Sequence, residues 1–291
     1  MIRFGLVGTN TSHARVFVRI FNGDHQPGGC PPALRGGTVV AVWGKPDAPV
    51  LADACGIGQV VREPEEMLPL VDAVLVVDDT GGGASHAELA RPFLQAGLPT
   101  FIDKPMTLDI ADAIELFDLA ERHGAPLMSA SALRFAVELD GLRDRLPGLG
   151  DISSVVSIGP GDWYYYGVHA VEMYLSVISE SPSWVHGHSF EQRDVVVIGH
   201  DNGPSVVVQT LRDAAYGFHL NLYGAEDWAA CQVLDHEAFY TRLMGAVLQM
   251  AQTGRPPVSR EQTLRVLAVL GAGERSLRTG ERVEVAEHLA R

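Results

Sequence analysis

Cysteine is scarce in this chain. Cys30, Cys55 and Cys231 are far apart, odd in number and without a C-x-x-C pair, which argues against a disulfide framework or a structural zinc site and suits a reducing cytoplasm. Positive charge is also short: 22 Lys and Arg face 36 Asp and Glu, for a net charge of −14. A surface that acidic repels phosphate backbones and anionic membranes, so neither nucleic acid nor a membrane is an expected partner. No apolar run approaches the roughly 20 residues that a membrane-spanning helix needs. The opening MIRFGLVG runs straight into a strand pattern, so no signal peptide is expected. There is no internal repeat and no low-complexity segment. The histidines at 186, 188, 200 and 219 show no metal-ligand spacing, and no metal is expected.

What remains is an ordinary globular composition, 46% hydrophobic and 20% charged over 291 residues, enough for two modest domains or one large one. Residues 1–125 alternate short apolar runs with helical patterns. The runs at Ile2–Gly8, Gly37–Gly44, Asp72–Asp79 and Pro99–Asp103 read as strands, and helices are expected between them. Pro126–Phe135 reads as a fifth strand leaving the sheet. Gly23–Gly37, rich in Gly and Pro, reads as an irregular excursion. Apolar strands each followed by a helix imply a parallel sheet covered on both faces, a doubly wound dinucleotide-type domain with ligands at the carboxyl ends of its strands.

Past about residue 150 the rhythm changes. SSVVSIG, RDVVVIG, PSVVVQTL, AYGFHLNLYG and WAACQVL follow one another with turn signals between them, which indicates an antiparallel or mixed sheet. One helix is inserted after the first run, and two more, Glu237–Thr253 and Arg260–Thr279, follow. The expected organisation is α/β: a dinucleotide-binding domain over 1–125 and a substrate and oligomerisation α+β domain over 126–291.

The first strand-to-helix turn, GLVGTNTSHARVF, is where such a fold places a pyrophosphate on a helix N-terminus. A G-x-G-x-x-G fingerprint starting at Gly8 finds Asn10 and His13 at its second and third glycine places. Asn10 can make the turn because asparagine tolerates the left-handed region. Thr9, Thr11 and Ser12 supply hydroxyls for phosphate or for capping. The second strand ends at Gly44 and Lys45 where a ribose-binding carboxylate is usual, and losing the carboxylate while gaining a cation favours a 2′-phosphate, hence NADP over NAD. After the third strand come Asp79, Thr80 and a run of three glycines that let a backbone approach a flat ligand; Ser85 or neighbouring groups are expected to cap the next helix, with His86 in its first turn.

Lys104 follows the fourth expected strand, between Asp103 and Pro105. A cation at that carboxyl edge can bind a substrate oxygen and exchange a proton with it. In GPGDWYYYGVHAVEMYL, a helix starting near Tyr164 puts Tyr165, His169 and Glu172 on one face, a phenol, an imidazole and a carboxylate suited to moving protons. Arg134 and Asp162 are further candidates for substrate contact.

HAELARPFLQAGLPTFIDKPMTLDIADAIELFDLAERHG, VHAVEMYL and GRPPVSREQTLRVLAVLGAGERSLRTGERVEV, in that order, resemble segments of the Gfo/Idh/MocA oxidoreductases. The resemblance implies an NAD(P)-binding domain, an open-faced sheet domain that holds substrate and forms homo-oligomer contacts in a dimer or tetramer, and hydride transfer at a sugar or polyol carbon. It assigns Lys104 to the lysine of that family's E-K-P motif and His169 to its acid/base partner. Asp103 stands at the glutamate place of that motif. Tyr165 and Glu172 stand where the family has aspartates four residues before and three after the histidine.

The expected activity is a cytoplasmic NAD(P)-dependent oxidoreductase acting on a secondary alcohol, carbonyl or imine of a small polar molecule. Lys104 would be its general acid/base, with His169 relaying the proton and Tyr165 assisting. Two other readings stay open: a lyase, epimerase or hydrolase using a held nicotinamide transiently, and a non-enzymatic binding protein on a retained fold.

Overall fold

The computed structural model describes residues 1–26 and 28–289. The chain forms two compact units, one of Met1–Ala130 with Tyr240–Arg260, the other of Ser131–Phe239 with Glu261–Arg291. The first unit thus includes a segment from the far end of the chain, beyond the contiguous boundary at 125/126 that the sequence suggests.

In the first unit the order is β1 (Ile2–Val7), α1 (Ser12–Asn22), β2 (Gly37–Trp43), α2 (Ala48–Cys55), β3 (Gln59–Val60), β4 (Ala73–Val76), α3 (His86–Gln95), β5 (Thr100–Ile102), α4 (Ile110–His123) and β6 (Leu127–Met128). The sheet order is β3-β2-β1-β4-β5-β6, with every pair parallel. This is the doubly wound arrangement, and its order reverses between β1 and β4. Phe4, Leu6 and Val7 of β1 and all of β4 are buried, because both faces of the sheet are covered. Helix α1 is held by Ala14, Phe17, Val18 and Phe21, one apolar stripe at helical spacing. Phe21 stacks on Phe4 at 4.7 Å, and burying each such ring contributes about 1.5–3 kcal/mol.

Two details differ from the sequence reading. β3 is an extra strand of two exposed residues, too short for any periodicity. The expected strand Pro126–Phe135 is extended only at Leu127–Met128 and then becomes a 3-10 turn, Ala132–Phe135. Ser131 causes the change: its Oγ accepts from Leu133 N at 3.2 Å and draws the backbone into a turn.

The second unit contains α5 (Glu138–Leu149), β7 (Ile152–Pro160), α6 (Trp163–Leu175), β8 (Pro182–Phe190), β9 (Arg193–His200), β10 (Ser205–Leu211), β11 (Phe218–Gly224) and β12 (Trp228–Val233). It continues into the start of α7 (His236–Thr253), most of which packs in the first unit, and then into α8 (Arg260–Thr279), β13 (Arg282–Glu284) and α9 (Ala286–Leu289). The sheet runs β12-β11-β7-β10-β9-β8-β13; β7 and β10 are parallel and the other neighbours antiparallel. Strands β8 and β13 and helix α5 were not anticipated. Helix α6 lies on the sheet, where buried Ser157 Oγ donates to Ala170 O at 2.8 Å. Buried Trp163 ties α6 to α8 through Nε1 to Leu270 O at 3.0 Å. Among the described residues no helix is long and apolar enough to cross a membrane.

Candidate active site

The carboxyl ends of β1, β2 and β4 converge on Thr9. Gly8 has φ 103°, and a Cβ there would lie 2.4 Å from Asp78 N; Gly44 has φ 151°, and a Cβ there would lie 2.5 Å from Thr9 Oγ1. Only glycine fits either position. Thr9 is 9% exposed, and its Oγ1 has no hydrogen-bond partner among the described residues. Leaving a buried hydroxyl unpaired costs about 1–3 kcal/mol, so this atom is poised for a ligand. Thr11 caps α1, whose first turn holds no acidic residue to oppose an anion. Thr9, Thr11, Ser12, Arg15 and Asp47, with Val50 and Leu51, line a cleft of about 290 Å³. These hydroxyls, the free helix end and the close-approach glycines fit a dinucleotide's pyrophosphate and adenosine. Arg15 and Asp47 were missed from sequence. Arg15 lies three residues after Ser12, on the same helical face, which is the signal that was available. Lys45 is exposed and does not border this cleft.

Asn10 does not use a left-handed backbone, since among the described residues positive φ occurs only at glycines. Its side chain acts instead: Oδ1 accepts from Asp79 N at 2.8 Å and Nδ2 donates to Thr80 Oγ1 at 3.2 Å. The first turn is thereby stapled to the loop after β4. Ser85 stands at the N-cap position of α3 without a side-chain cap bond; its Oγ donates to Asp78 Oδ1 at 2.7 Å instead. His86, buried, donates Nδ1–H to Pro105 O at 2.9 Å and so ties α3 to the segment carrying Lys104.

Lys104 is 7% exposed at the end of β5. Beside it, Asp103 accepts from His13 Nδ1 at 2.5 Å, and the other ring nitrogen of His13 lies 3.0 Å from Tyr240 Oη. Burial alone would push the Asp103 carboxyl up. The charge of His13, its hydrogen bond, and the charges of Lys104 and His86 outweigh burial and hold the group down at about 2.

In the second unit, Asp162 caps α6, accepting from Tyr165 N at 2.8 Å. Tyr165 packs edge-on against Tyr166 at 5.4 Å. His169 Nδ1 meets Ser131 Oγ at 2.7 Å. Glu172 is buried and ion-paired with Arg134, whose side chain is 10% exposed. Burial raises the Glu172 carboxyl above its usual range, and Arg134 only partly offsets that. Arg134 is therefore committed to Glu172. His169 and Glu172 both engage the 131–135 turn, and Ser131 is a residue that sequence reasoning missed. Around His169 stand Tyr166 at 5.9 Å and Phe218 at 5.6 Å, and Tyr216 adjoins both. Among the described residues no group of His, Cys, Asp and Glu side chains is placed to hold a metal ion.

Residues 2–131 match the family model GFO_IDH_MocA, described as "Oxidoreductase family, NAD-binding Rossmann fold". This part of the chain is similar to the NAD-binding domain that the model describes. Within the curated proteins, myo-inositol dehydrogenase Hyg17 of Streptomyces leeuwenhoekii is 45% identical over 56 residues, 19% of this chain and 16% of that protein. The match therefore spans about a sixth of that relative's length. Scyllo-inositol dehydrogenase from Lactobacillus casei, solved with bound NAD(H) and scyllo-inositol, superposes with a TM-score of 0.84 at 14% identity over 98% of this chain and 99% of that one. Myo-inositol dehydrogenase from Corynebacterium glutamicum ATCC 13032 gives 0.82 at 15% identity over 98% of each chain. At such identities the likeness is one of fold.

Proposed function

We propose that this chain is an NAD(P)-dependent oxidoreductase that moves hydride between nicotinamide and a secondary alcohol or carbonyl of a small, neutral, polyol-like ring. The observation that carries the reading is Lys104, a cation held 7% exposed at the carboxyl end of β5 in a domain similar to that NAD-binding one. A buried amine at a ligand-binding strand end is placed to hydrogen-bond a reacting oxygen and pass it a proton. Lys104 binds that oxygen and gives or takes its proton, His169 takes part in the transfer, and Tyr165 assists. Thr9, Thr11 and Ser12 hold the pyrophosphate. The nicotinamide, when bound, supplies or accepts the hydride.

The aromatic wall of Tyr166, Tyr216 and Phe218 around His169 favours a ring with a flat C–H face and hydroxyl edges. The L. casei neighbour's bound scyllo-inositol has that form. For the cofactor, Arg15 favours a 2′-phosphate, whereas Asp47 on the same cleft opposes it. The NADP preference is therefore modest, within about tenfold, or roughly 1.4 kcal/mol. Homo-oligomerisation through the open sheet fits Tyr223 and Trp228, paired across β11 and β12 and 45% and 60% exposed. The three unpaired cysteines suit a cytoplasmic setting.

The test is turnover of cyclitols and pyranoses with NAD and NADP, alongside cofactor titrations. Lys104→Ala should bind cofactor within threefold of wild type and lose turnover by orders of magnitude. A Lys104→Ala enzyme with its rate intact refutes the assignment. Arg15→Ala with unchanged NADPH affinity removes the 2′-phosphate argument.

A further inference from the structure

Two departures from the family pattern meet at one hydrogen bond. His13 occupies the third glycine place of the fingerprint, and Asp103 the glutamate place before Lys104. In the fold His13 Nδ1 and Asp103 Oδ2 are 2.5 Å apart, with the two side chains 12% and 7% exposed. The imidazole lies between Phe17 and Tyr240, at ring distances of 5.4 and 5.3 Å. The carboxylate accepts, so Nδ1 carries a proton. Nε2 can then accept from the Tyr240 hydroxyl or donate to it, which keeps the ring anchored whether neutral or protonated. The charged and titratable groups facing the pair are Lys104 and His86, which act on Asp103, and Tyr240.

We propose that His13 is a positioning residue for Lys104. By holding the Asp103 carboxylate on the α1 side, it keeps that carboxylate from closing onto the neighbouring ammonium. The glycine-to-histidine and glutamate-to-aspartate changes are then one compensated change, since aspartate is a methylene shorter and leaves room for the imidazole. This rests on the reading of Lys104 as the acid/base.

The experiment compares His13→Gly, His13→Leu, His13→Asn, Asp103→Glu and the double variant His13→Gly/Asp103→Glu. It reads kcat, KM, the Kd for NADH, and the rate at which an amine-acylating reagent labels Lys104 at fixed pH, followed by mass spectrometry. In His13→Gly the freed carboxylate holds the ammonium, so labelling slows severalfold and kcat falls about tenfold, roughly 1.4 kcal/mol, with the Kd within threefold. His13→Leu fills the space without a donor and behaves like His13→Gly, which covers the case where the glycine variant folds poorly. His13→Asn keeps a donor and stays near wild type. The double variant restores the family's glycine and glutamate together and recovers both labelling and kcat. Unchanged labelling in both His13→Gly and His13→Leu overturns the proposal, as does a double variant no better than its worse parent. Labelling needs no turnover, so it judges this inference even if Lys104→Ala keeps its rate and the functional reading falls.

Discussion

Ser131 Oγ sits 2.7 Å from His169 Nδ1 while also accepting from Leu133 N at 3.2 Å. With one lone pair given to the backbone, the hydroxyl can meet Nδ1 either as donor or, through its second lone pair, as acceptor. Either way the serine holds the ring by Nδ1 and selects one tautomer. One serine therefore shapes the 3-10 turn and anchors the ring of His169.

Ser131→Ala should therefore lower kcat about tenfold by freeing the ring, the loss of one hydrogen bond worth about 1–1.5 kcal/mol. Cofactor Kd should not change. Nitrogen NMR of the imidazole separates this from simple loosening: wild type should show a single tautomer and the variant a mixture of the two. A wild-type spectrum that already shows a mixture refutes the positioning role of Ser131.

Arg134 and Glu172 form a buried pair, and its cost appears when one partner is removed. Arg134→Met should destabilise the fold by about 3–5 kcal/mol, because it strands a carboxylate away from water. Adding Glu172→Met should recover most of the loss, since two apolar side chains need no pairing. Denaturant melts of the four proteins in the cycle give the coupling directly. Additive losses would mean that the pair contributes nothing as a pair.

Asp103 gives stability a specific pH dependence. Its folded carboxyl titrates at about 2, below the roughly 3.9 of an unfolded aspartate. A depressed acid contributes stability that is fully present above the unfolded value and is lost as pH falls through the folded one. Wild type should exceed Asp103→Asn by about 2 kcal/mol at pH 6. That margin should shrink between about pH 4 and 2. Thermal melts across that range check it; a margin independent of pH would show that Asp103 acts by shape and not by charge.

The fold was legible where a pattern repeats along the chain, and the site where chemistry sits on one segment. Helix α8 ends where the periodicity and the following glycine say it should, and the β1, β2, β4 and β5 runs are continuous apolar stretches. Strand β8 escaped notice because PSWVHGHSF breaks its alternation with a proline, a glycine and two histidines; its order comes from pairing with β9 and β13. Tyr240 was invisible as a partner of His13, 227 residues away. Ser131 and His169 are 38 apart. Lys104 and His169 stand out as candidates because their motifs are local; the groups that hold His13 and His169 in place come from distant parts of the chain.

Thr9 offers a prediction in which two observables move in opposite directions. Its Oγ1 is buried and unpartnered, so without cofactor the hydroxyl is a cost, and with cofactor it is a contact. Thr9→Val has nearly the same shape and no polar atom. The cofactor-free protein should therefore become more stable by about 1–2 kcal/mol, a Tm rise of about 2–8 °C for a chain of this size. NADH binding should weaken about tenfold, because the lost hydroxyl leaves a phosphate or ribose oxygen without its partner. Calorimetry of the free protein and fluorescence titration of the cofactor read the two effects separately. If the free protein instead melts earlier and the Kd is unchanged, the hydroxyl serves the turn and not the ligand, and the cleft at α1 is no pyrophosphate cradle.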